Sequence, residues 1–197
     1  MNIKNILGGD IKPTVKNGYS FYPVLPIHYT AESKEMFENH VLDNQNLTLT
    51  VPDNKTLYLK AQAKNSVIDI LLSGNDSYVV LYNANLTNTE VNVETVKSIA
   101  SNNAVRYNEK LLTGCLTILD SVLEKSILSS NDCTKEDAIN FLRVDGKEID
   151  ISVRNASFDG LDADFSKIDF NTVSVKHAGN DCIDVSGGVY NFTAIYL

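Results

Sequence analysis

The sequence lacks tryptophan and has little positive charge, with 17 Lys and Arg against 25 Asp and Glu and a formal net charge of −8. A nucleic-acid-binding surface needs clustered Lys and Arg, so this balance argues against nucleic acid as a partner. It is compatible with neutral glycans, cationic partners and divalent cations. No apolar run is long enough for a signal peptide or a membrane span, so we expect no transmembrane segment.

Cysteine is also scarce, with three residues in the chain. Cys115, Cys133 and Cys182 form no CxxC or His-containing metal pattern. In the repeat described below, Cys115 and Cys182 lie three coils apart, about 14 Å, which is beyond disulfide reach. Cys133 falls in a predicted loop. The sequence therefore predicts free thiols, and the three histidines show neither a catalytic-triad nor a metal-ligand spacing.

The sequence contains a repeat with a period of 22 residues. Three segments align without gaps: EDAINFLRVDGKEIDISVRNAS from Glu136, FDGLDADFSKIDFNTVSVKHAG from Phe158 and NDCIDVSGGVYNFTAIYL from Asn180. The upstream phrase TGCLTILDSVLEKSILSS is an imperfect fourth copy. The register predicts apolar columns through Leu116, Ile139, Leu161 and Ile183, through Ile118, Phe141, Ala163 and Val185, and through Ile151, Val173 and Ile195.

Apolar and polar residues alternate with a period of two within each copy, which indicates strands with one buried face. Short strands that return at this interval describe a coil rising about 4.8 Å per turn. The sequence therefore predicts an all-β fold, a parallel β-helix over residues 46–197 with regular coils from about residue 111.

The N-terminal segment, residues 1–45, contains the phrase TAESKEMFENHVLDN, which predicts a short capping helix. Thr30 would cap it, and its apolar side would consist of Met36, Phe37, Val41 and Leu42. Such a helix would cover the open end of the stack. Leu197 falls at an inward position, so we expect a longer parent chain or an oligomeric partner to cover the other end.

The phrases LTGCLTI, EDAINF, DGLDADFS and GNDCIDVSGG, in this order, resemble those of the right-handed β-helix, or pectin-lyase-like, superfamily. They are more similar still to those of a group of uncharacterised bacterial β-helix proteins, over residues 111–192. The resemblance implies a right-handed parallel β-helix. That group offers no established activity to carry over, and analogy with the fold favours an extracellular or cell-surface location.

Asn140, Asp162 and Asp184 form an outward column in this register, with adjacent Cβ atoms about 5 Å apart. We expect this column to bind a ligand. Stacked carboxylates repel each other and need a compensating group. Asp162, Asp164 and Asp184 are therefore predicted to hold calcium, which prefers such ligands. The alternative is a solvated ladder of carboxylates without a cation.

SFDGLD and GNDCID are similar to two motifs of polygalacturonase-type glycoside hydrolases. The resemblance implies catalytic roles for Asp159 and Asp181. Asn180 stands where that family has its general acid, and its Gly-His-Gly and Arg-Ile-Lys motifs have no counterpart here. A calcium-dependent lyase would also need a base, for which Arg154 and Lys176, in one outward column, are the candidates.

These observations favour a structural or glycan-contacting module, part of a larger bacterial or phage surface protein, with polysaccharide as its partner. A polysaccharide-active enzyme, either a hydrolase or a calcium-dependent lyase, is the alternative, and it would use the stacked Asp residues. An oligomerisation scaffold is the second alternative.

Overall fold

A computed structural model describes residues 14–16, 19–21, 35–74, 77–96 and 114–197, and these residues contain strands and no helix. A helix able to cross a membrane is therefore not found among them. The strands are β1 (Thr14–Lys16), β2 (Tyr19–Phe21), β3 (Glu35–Asp43), β4 (Asn46–Pro52), β5 (Thr56–Lys64), β6 (Val67–Ser73), β7 (Tyr78–Tyr82), β8 (Asn85–Thr87), β9 (Glu90–Thr95), β10 (Gly114–Leu119), β11 (Val122–Glu124), β12 (Ile127–Asn131), β13 (Asp137–Leu142), β14 (Asp145–Ala156), β15 (Asp159–Asp164), β16 (Lys167–Ala178), β17 (Ile183–Ser186) and β18 (Val189–Tyr196).

Apart from the antiparallel pair β1 and β2, all these strands pair in parallel and wind into a solenoid of about six turns of about 22 residues. The solenoid has three faces. Face 1 contains the first halves of β3 and β5, followed by β7, β10, β13, β15 and β17. Face 2 contains the second halves of β3 and β5, then β8, β11 and the first parts of β14, β16 and β18. Face 3 contains β4, β6, β9, β12 and the later parts of β14, β16 and β18. The predicted all-β parallel solenoid is confirmed.

The predicted repeat register is also confirmed. Leu116, Ile139, Leu161 and Ile183 are successive partners on face 1. The side chains of the first three are fully buried, as the period-two pattern requires. The aromatic rings of Phe141, Phe170 and Phe192 pack in sequence inside the later turns, with centroids 5.9 Å and 4.9 Å apart. Burial of apolar side chains in this continuous stack is the main stabilising contribution to such a fold.

The corners between faces 2 and 3 use left-handed backbone, which explains part of the abundance of asparagine. Asn44, Asn65, Asn88, Lys125 and Glu148 occupy equivalent corners with φ between 48° and 54°. Asparagine tolerates this region better than most residues. The Asn88 side-chain amide also donates to Asn65 Oδ1 at 2.8 Å, so the corner residues join one turn to the next.

The helix predicted in TAESKEMFENHVLDN is wrong for Glu35–Asp43, which form β3. β3 pairs with β5 residue by residue, so its backbone groups are satisfied by the neighbouring turn. Its side chains alternate, with Leu42 8% exposed and Val41 75% exposed. Strand pairing and burial of one face outweigh the local helix propensity. Thr30 lies outside the described residues.

The prediction of free thiols is wrong for Cys115 and Cys133, which form a disulfide with Cα atoms 6.0 Å apart. Cys133 lies in the loop that precedes β13, as predicted, and is fully buried there. The chain makes one turn between β10 and this corner and returns beside Cys115. Cys182 remains a free, half-buried thiol.

Apolar side chains of the last turn are exposed, as Val185 (37%), Ile195 (46%) and Leu197 (73%) illustrate. Val185 and Ile195 continue the inward columns of Ala163 and Val173. Their exposure follows from their place in the last of the described strands.

Candidate functional site

Six aspartates gather at the β13–β15–β17 end of face 1. This acid cluster consists of Asp137, Asp159, Asp162, Asp164, Asp181 and Asp184. Parallel pairing without a register shift brings them together, because Asp137 is the partner of Asp159 and Asp162 is the partner of Asp184. Exposure increases toward β17, from the buried Asp137 to the exposed Asp181 and Asp184.

Asp162 has the most perturbed carboxyl group of the cluster. Partial burial, together with repulsion from Asp137, Asp164, Asp184 and Asp159, raises the pKa of Asp162 to about 8 from its usual 3.8. Burial disfavours the charged form of a carboxyl group, and neighbouring negative charges do the same. Its side chain is therefore a neutral carboxylic acid near pH 7, able to donate a hydrogen bond.

Asn140 occupies the position below Asp162 in the column and is only 8% exposed. Its amide nitrogen donates to Asp162 Oδ2 at 2.7 Å and to Asp137 Oδ2 at 3.2 Å. The prediction that Asn140 binds a ligand stays a prediction. Its burial and these contacts give it the geometry of a residue that orients Asp162.

Asn180 forms hydrogen bonds with two carboxylates, those of Asp159 at the start of β15 and Asp181 in the corner before β17. Its amide donates to Asp159 Oδ1 at 2.8 Å and to Asp181 Oδ2 at 3.3 Å. The backbone N–H of Asp181 also donates to Asp159 Oδ1 at 2.8 Å. Gly160 permits this close stacking, because a Cβ there would lie 2.5 Å from Val175 and 2.8 Å from the carbonyl oxygen of Cys182. The repeated DGLD and DCID phrases thus mark a tight corner that places two carboxylates side by side.

Asp164 lies at the edge of the cluster, where Ser186 on β17 donates its hydroxyl hydrogen to Asp164 Oδ1. The adjoining corner is held by Tyr190, whose hydroxyl group donates to the carbonyl oxygen of Ala163 at 2.8 Å. Burial raises the pKa of Tyr190, with backbone and side-chain hydrogen bonds to Ser166 acting in the opposite direction. The Asp164 carboxylate therefore already accepts a hydrogen bond from a protein group, the Ser186 hydroxyl.

The three carboxylates that lie closest together in the acid cluster differ in part from the three that were predicted to bind calcium. Asp159, Asp181 and Asp184 each present an oxygen within 4.8 Å of the other two. Of the predicted set Asp162, Asp164 and Asp184, only Asp184 belongs to this group. Carboxylate oxygens suit a hard cation, but calcium takes six to eight oxygen ligands. One oxygen of Asp159 already accepts two hydrogen bonds from the protein.

Arg154 and Lys176, the candidate bases of a lyase, are partners on face 3. The acid cluster lies on face 1, so the two groups belong to different faces of the solenoid. His177 follows Lys176 at a corner, where its Nδ1 lies 3.2 Å from Asn155 Oδ1. The backbone of His177 is left-handed there, with a φ of 63°.

No protein-family model, curated protein or solved structure matches this chain. The candidate site is therefore defined by its own geometry. The sequence placed Asp162 beside Asp184 and Asp159 near Asp181. It did not identify the linking roles of Asn140, Asn180 and Ser186. The signal for these roles was the spacing of 21 or 22 residues between each residue and its carboxylate partner.

Proposed function

We propose that this β-solenoid is a glycan-contacting module whose acid cluster meets sugar hydroxyl groups. The supporting observation is the coexistence, on one face, of the neutral carboxyl group of Asp162 and the exposed carboxylates of Asp181 and Asp184. A neutral carboxyl group donates a hydrogen bond, whereas carboxylates accept them. Sugar hydroxyls both donate and accept, so such a set complements them.

The charge of the cluster indicates which glycans it would take. The aspartates that surround the neutral Asp162 create a negative local potential at one end of face 1. A polyuronate would be repelled there, because like charges that meet across a contact repel each other. Neutral or amine-bearing saccharides are therefore the proposed partners of this surface.

A location outside the cytoplasm is part of the same proposal. The Cys115–Cys133 disulfide supports it, because disulfides form and persist in oxidising compartments. A surface location is also where a polysaccharide partner would be met. We propose that the module belongs to a larger surface protein.

Titration with neutral and amine-bearing hexasaccharides, followed by two-dimensional amide NMR, tests the contact. Glucose-, xylose- and glucosamine-based chains cover the proposed class. We expect perturbed amides in β13, β15 and β17, with dissociation constants of about a millimolar or weaker for so open a surface. Asp184→Asn and Asp162→Ala should weaken binding, whereas Asp145→Asn, an exposed carboxylate on face 2, should not. Shifts spread evenly over the three faces would contradict the proposal.

Glycoside hydrolysis is a second candidate, favoured by the same contrast between a neutral Asp162 and its neighbours. Asp162 would protonate the glycosidic oxygen as the C–O bond breaks. Asp159 or Asp181 would take a proton from the water whose oxygen bonds to the anomeric carbon. Asn180 cannot donate as an acid does, and its amide holds those two carboxylates together.

Release of reducing ends from the saccharides that bind separates the two candidates. If the chain is a hydrolase, Asp162→Asn should abolish cleavage and retain most of the binding, because an amide keeps the shape and loses the acidic proton. If the chain is a contact module, wild-type protein should bind and release no reducing ends.

A further inference from the structure

Two exposed cations face each other across neighbouring turns of face 3. Arg154 on β14 and Lys176 on β16 are partners in the parallel register, and both side chains point outward. Side chains in such pairs have Cβ atoms about 5 Å apart, and like charges placed directly opposite are destabilising. Among the residues that the structure describes, no carboxylate lies within 4 Å of either cation.

The surroundings of this pair are polar. The Asp132 carboxylate at the adjoining corner accepts a hydrogen bond from the Asn155 amide at 2.8 Å. Ser152 and Ser174 lie two residues earlier on the same strands, with their side chains on the same outward surface. Asn131 is the partner of Arg154 on the other side. Glu94, the next residue in that column, is two turns from Arg154, roughly 10 Å away.

A locally positive surface is unusual on a chain with a net charge of −8. Arg143 is paired with Asp120 at 2.6 Å, and Lys147 lies opposite Asp169 in the register of β14 and β16. Arg154 and Lys176 have no carboxylate among their register partners. An anion placed between them would remove the repulsion and accept hydrogen bonds from both.

We propose that Arg154 and Lys176, with the hydroxyls of Ser152 and Ser174, bind the anionic group of an acidic saccharide lying across face 3. Charge complementarity carries the choice of ligand. A guanidinium group matches the planar or tetrahedral oxygens of a carboxylate or a sulfate ester, and an ammonium group adds a point charge. The adjacent serines are placed to meet the ring hydroxyls of the same sugar unit. This surface is separate from the acid cluster and has the opposite charge preference.

Isothermal titration at low ionic strength tests this inference with three polymers. Dextran sulfate tests binding to sulfate esters, polygalacturonate tests binding to carboxylates, and unsubstituted dextran tests binding to an uncharged sugar chain. We expect the wild-type chain to bind one or both anionic polymers and not dextran. Binding should weaken steeply between about 20 mM and 150 mM salt, because the site is exposed and screened.

The variant Arg154→Gln/Lys176→Gln should weaken that binding at least tenfold. Lys147→Gln/Lys167→Gln removes the same charge from exposed positions on face 2 and should change it less than twofold. Equal losses in the two double variants would show general attraction of a polyanion and overturn the site. Absence of binding to both anionic polymers at low salt would overturn it as well.

A single substitution separates loss of the site from loss of the fold. Lys176→Glu places an opposite charge beside Arg154, so the melting temperature should rise by roughly 1–3 °C. The same variant should lose anion binding. A Lys176→Glu chain that still binds the anionic polymers as tightly as the wild type would refute the proposal.

Discussion

Asn140 donates through its amide nitrogen to Asp162 at 2.7 Å and to Asp137 at 3.2 Å. One buried side chain therefore fixes two acidic groups on adjacent turns. Asp162 keeps its orientation while burial and its acidic neighbours raise its pKa to about 8. The solenoid thus holds a protonated carboxyl group beside exposed carboxylates, and this arrangement has consequences for stability.

Stability should decrease with rising pH because of Asp162. Its pKa is raised from 3.8 to about 8 in the fold, so between these values the unfolded chain releases a proton that the folded chain retains. The contribution is present below about pH 4 and is lost as the pH approaches about 8. Asp162→Asn should flatten this dependence and stabilise the chain by about 1–3 kcal/mol at pH 8, after a discount for solvent screening.

Chemical denaturation at pH 5, 6.5 and 8 measures this difference. Asp145→Asn on face 2 is the matched control and should leave the slope against pH unchanged. A wild-type stability that rises through this interval, or a slope that Asp162→Asn does not alter, would be incompatible with a protonated Asp162.

If Asp159, Asp181 and Asp184 together bind calcium, the ion should stabilise the folded chain. The expected effect of 5 mM calcium is a rise in melting temperature of a few degrees, since binding to the folded state alone stabilises it by mass action. Asp159→Asn/Asp184→Asn should remove the rise. Asp162→Asn should preserve it, because Asp162 is not among the three carboxylates that converge. Differential scanning fluorimetry with magnesium as a comparison makes the measurement. If calcium leaves the melting temperature of the wild type unchanged, the acid cluster does not bind the ion and its carboxylates only form hydrogen bonds.

The regular turns could be predicted from the sequence because each residue there repeats the environment of the residue one turn earlier. A spacing of 22 residues places Leu161 between Ile139 and Ile183, and the structure has this register. The same 22-residue spacing predicted that Asp162 lies beside Asp184. Periodicity is a direct consequence of stacking, so it carries reliable information about partners across turns.

Features that depend on tertiary contacts outside the repeat register were not predicted. Glu35–Asp43 reads as an amphipathic helix by itself, and only its pairing with β5 makes it a strand. The Cys115–Cys133 disulfide joins residues less than one full repeat apart, so a comparison of equivalent positions does not reveal it. The raised pKa of Asp162 likewise arises from burial and from neighbours on three strands.

The disulfide should contribute substantially to stability. It closes a loop between residues 18 positions apart, for which restriction of the unfolded chain is worth about 3 kcal/mol. Cys115→Ser/Cys133→Ser should therefore lower the melting temperature by roughly 6–12 °C for a chain of this length. Cys182→Ser, which removes the free thiol, should change it by less than about 2 °C. Thermal unfolding of the three proteins, with mass spectrometry of the oxidised wild type, gives the result. Unmodified thiols at positions 115 and 133 in air-oxidised protein would contradict the disulfide.

Lys125 is a corner residue whose replacement should make the solenoid more stable. It has φ of 50°, in the column where Asn44, Asn65 and Asn88 adopt the same left-handed backbone. Lysine meets a steric penalty there that asparagine partly avoids, and Asn88 would gain a neighbour able to extend the amide ladder. Lys125→Asn should raise the free energy of unfolding by about 0.5–1 kcal/mol. The matched control is Lys64→Asn, an exposed lysine within β5 on face 2, where the backbone is extended and asparagine is disfavoured. Urea unfolding should show stabilisation at position 125 and a neutral or negative effect at position 64; the reverse order would show that left-handed backbone strain does not govern these corners.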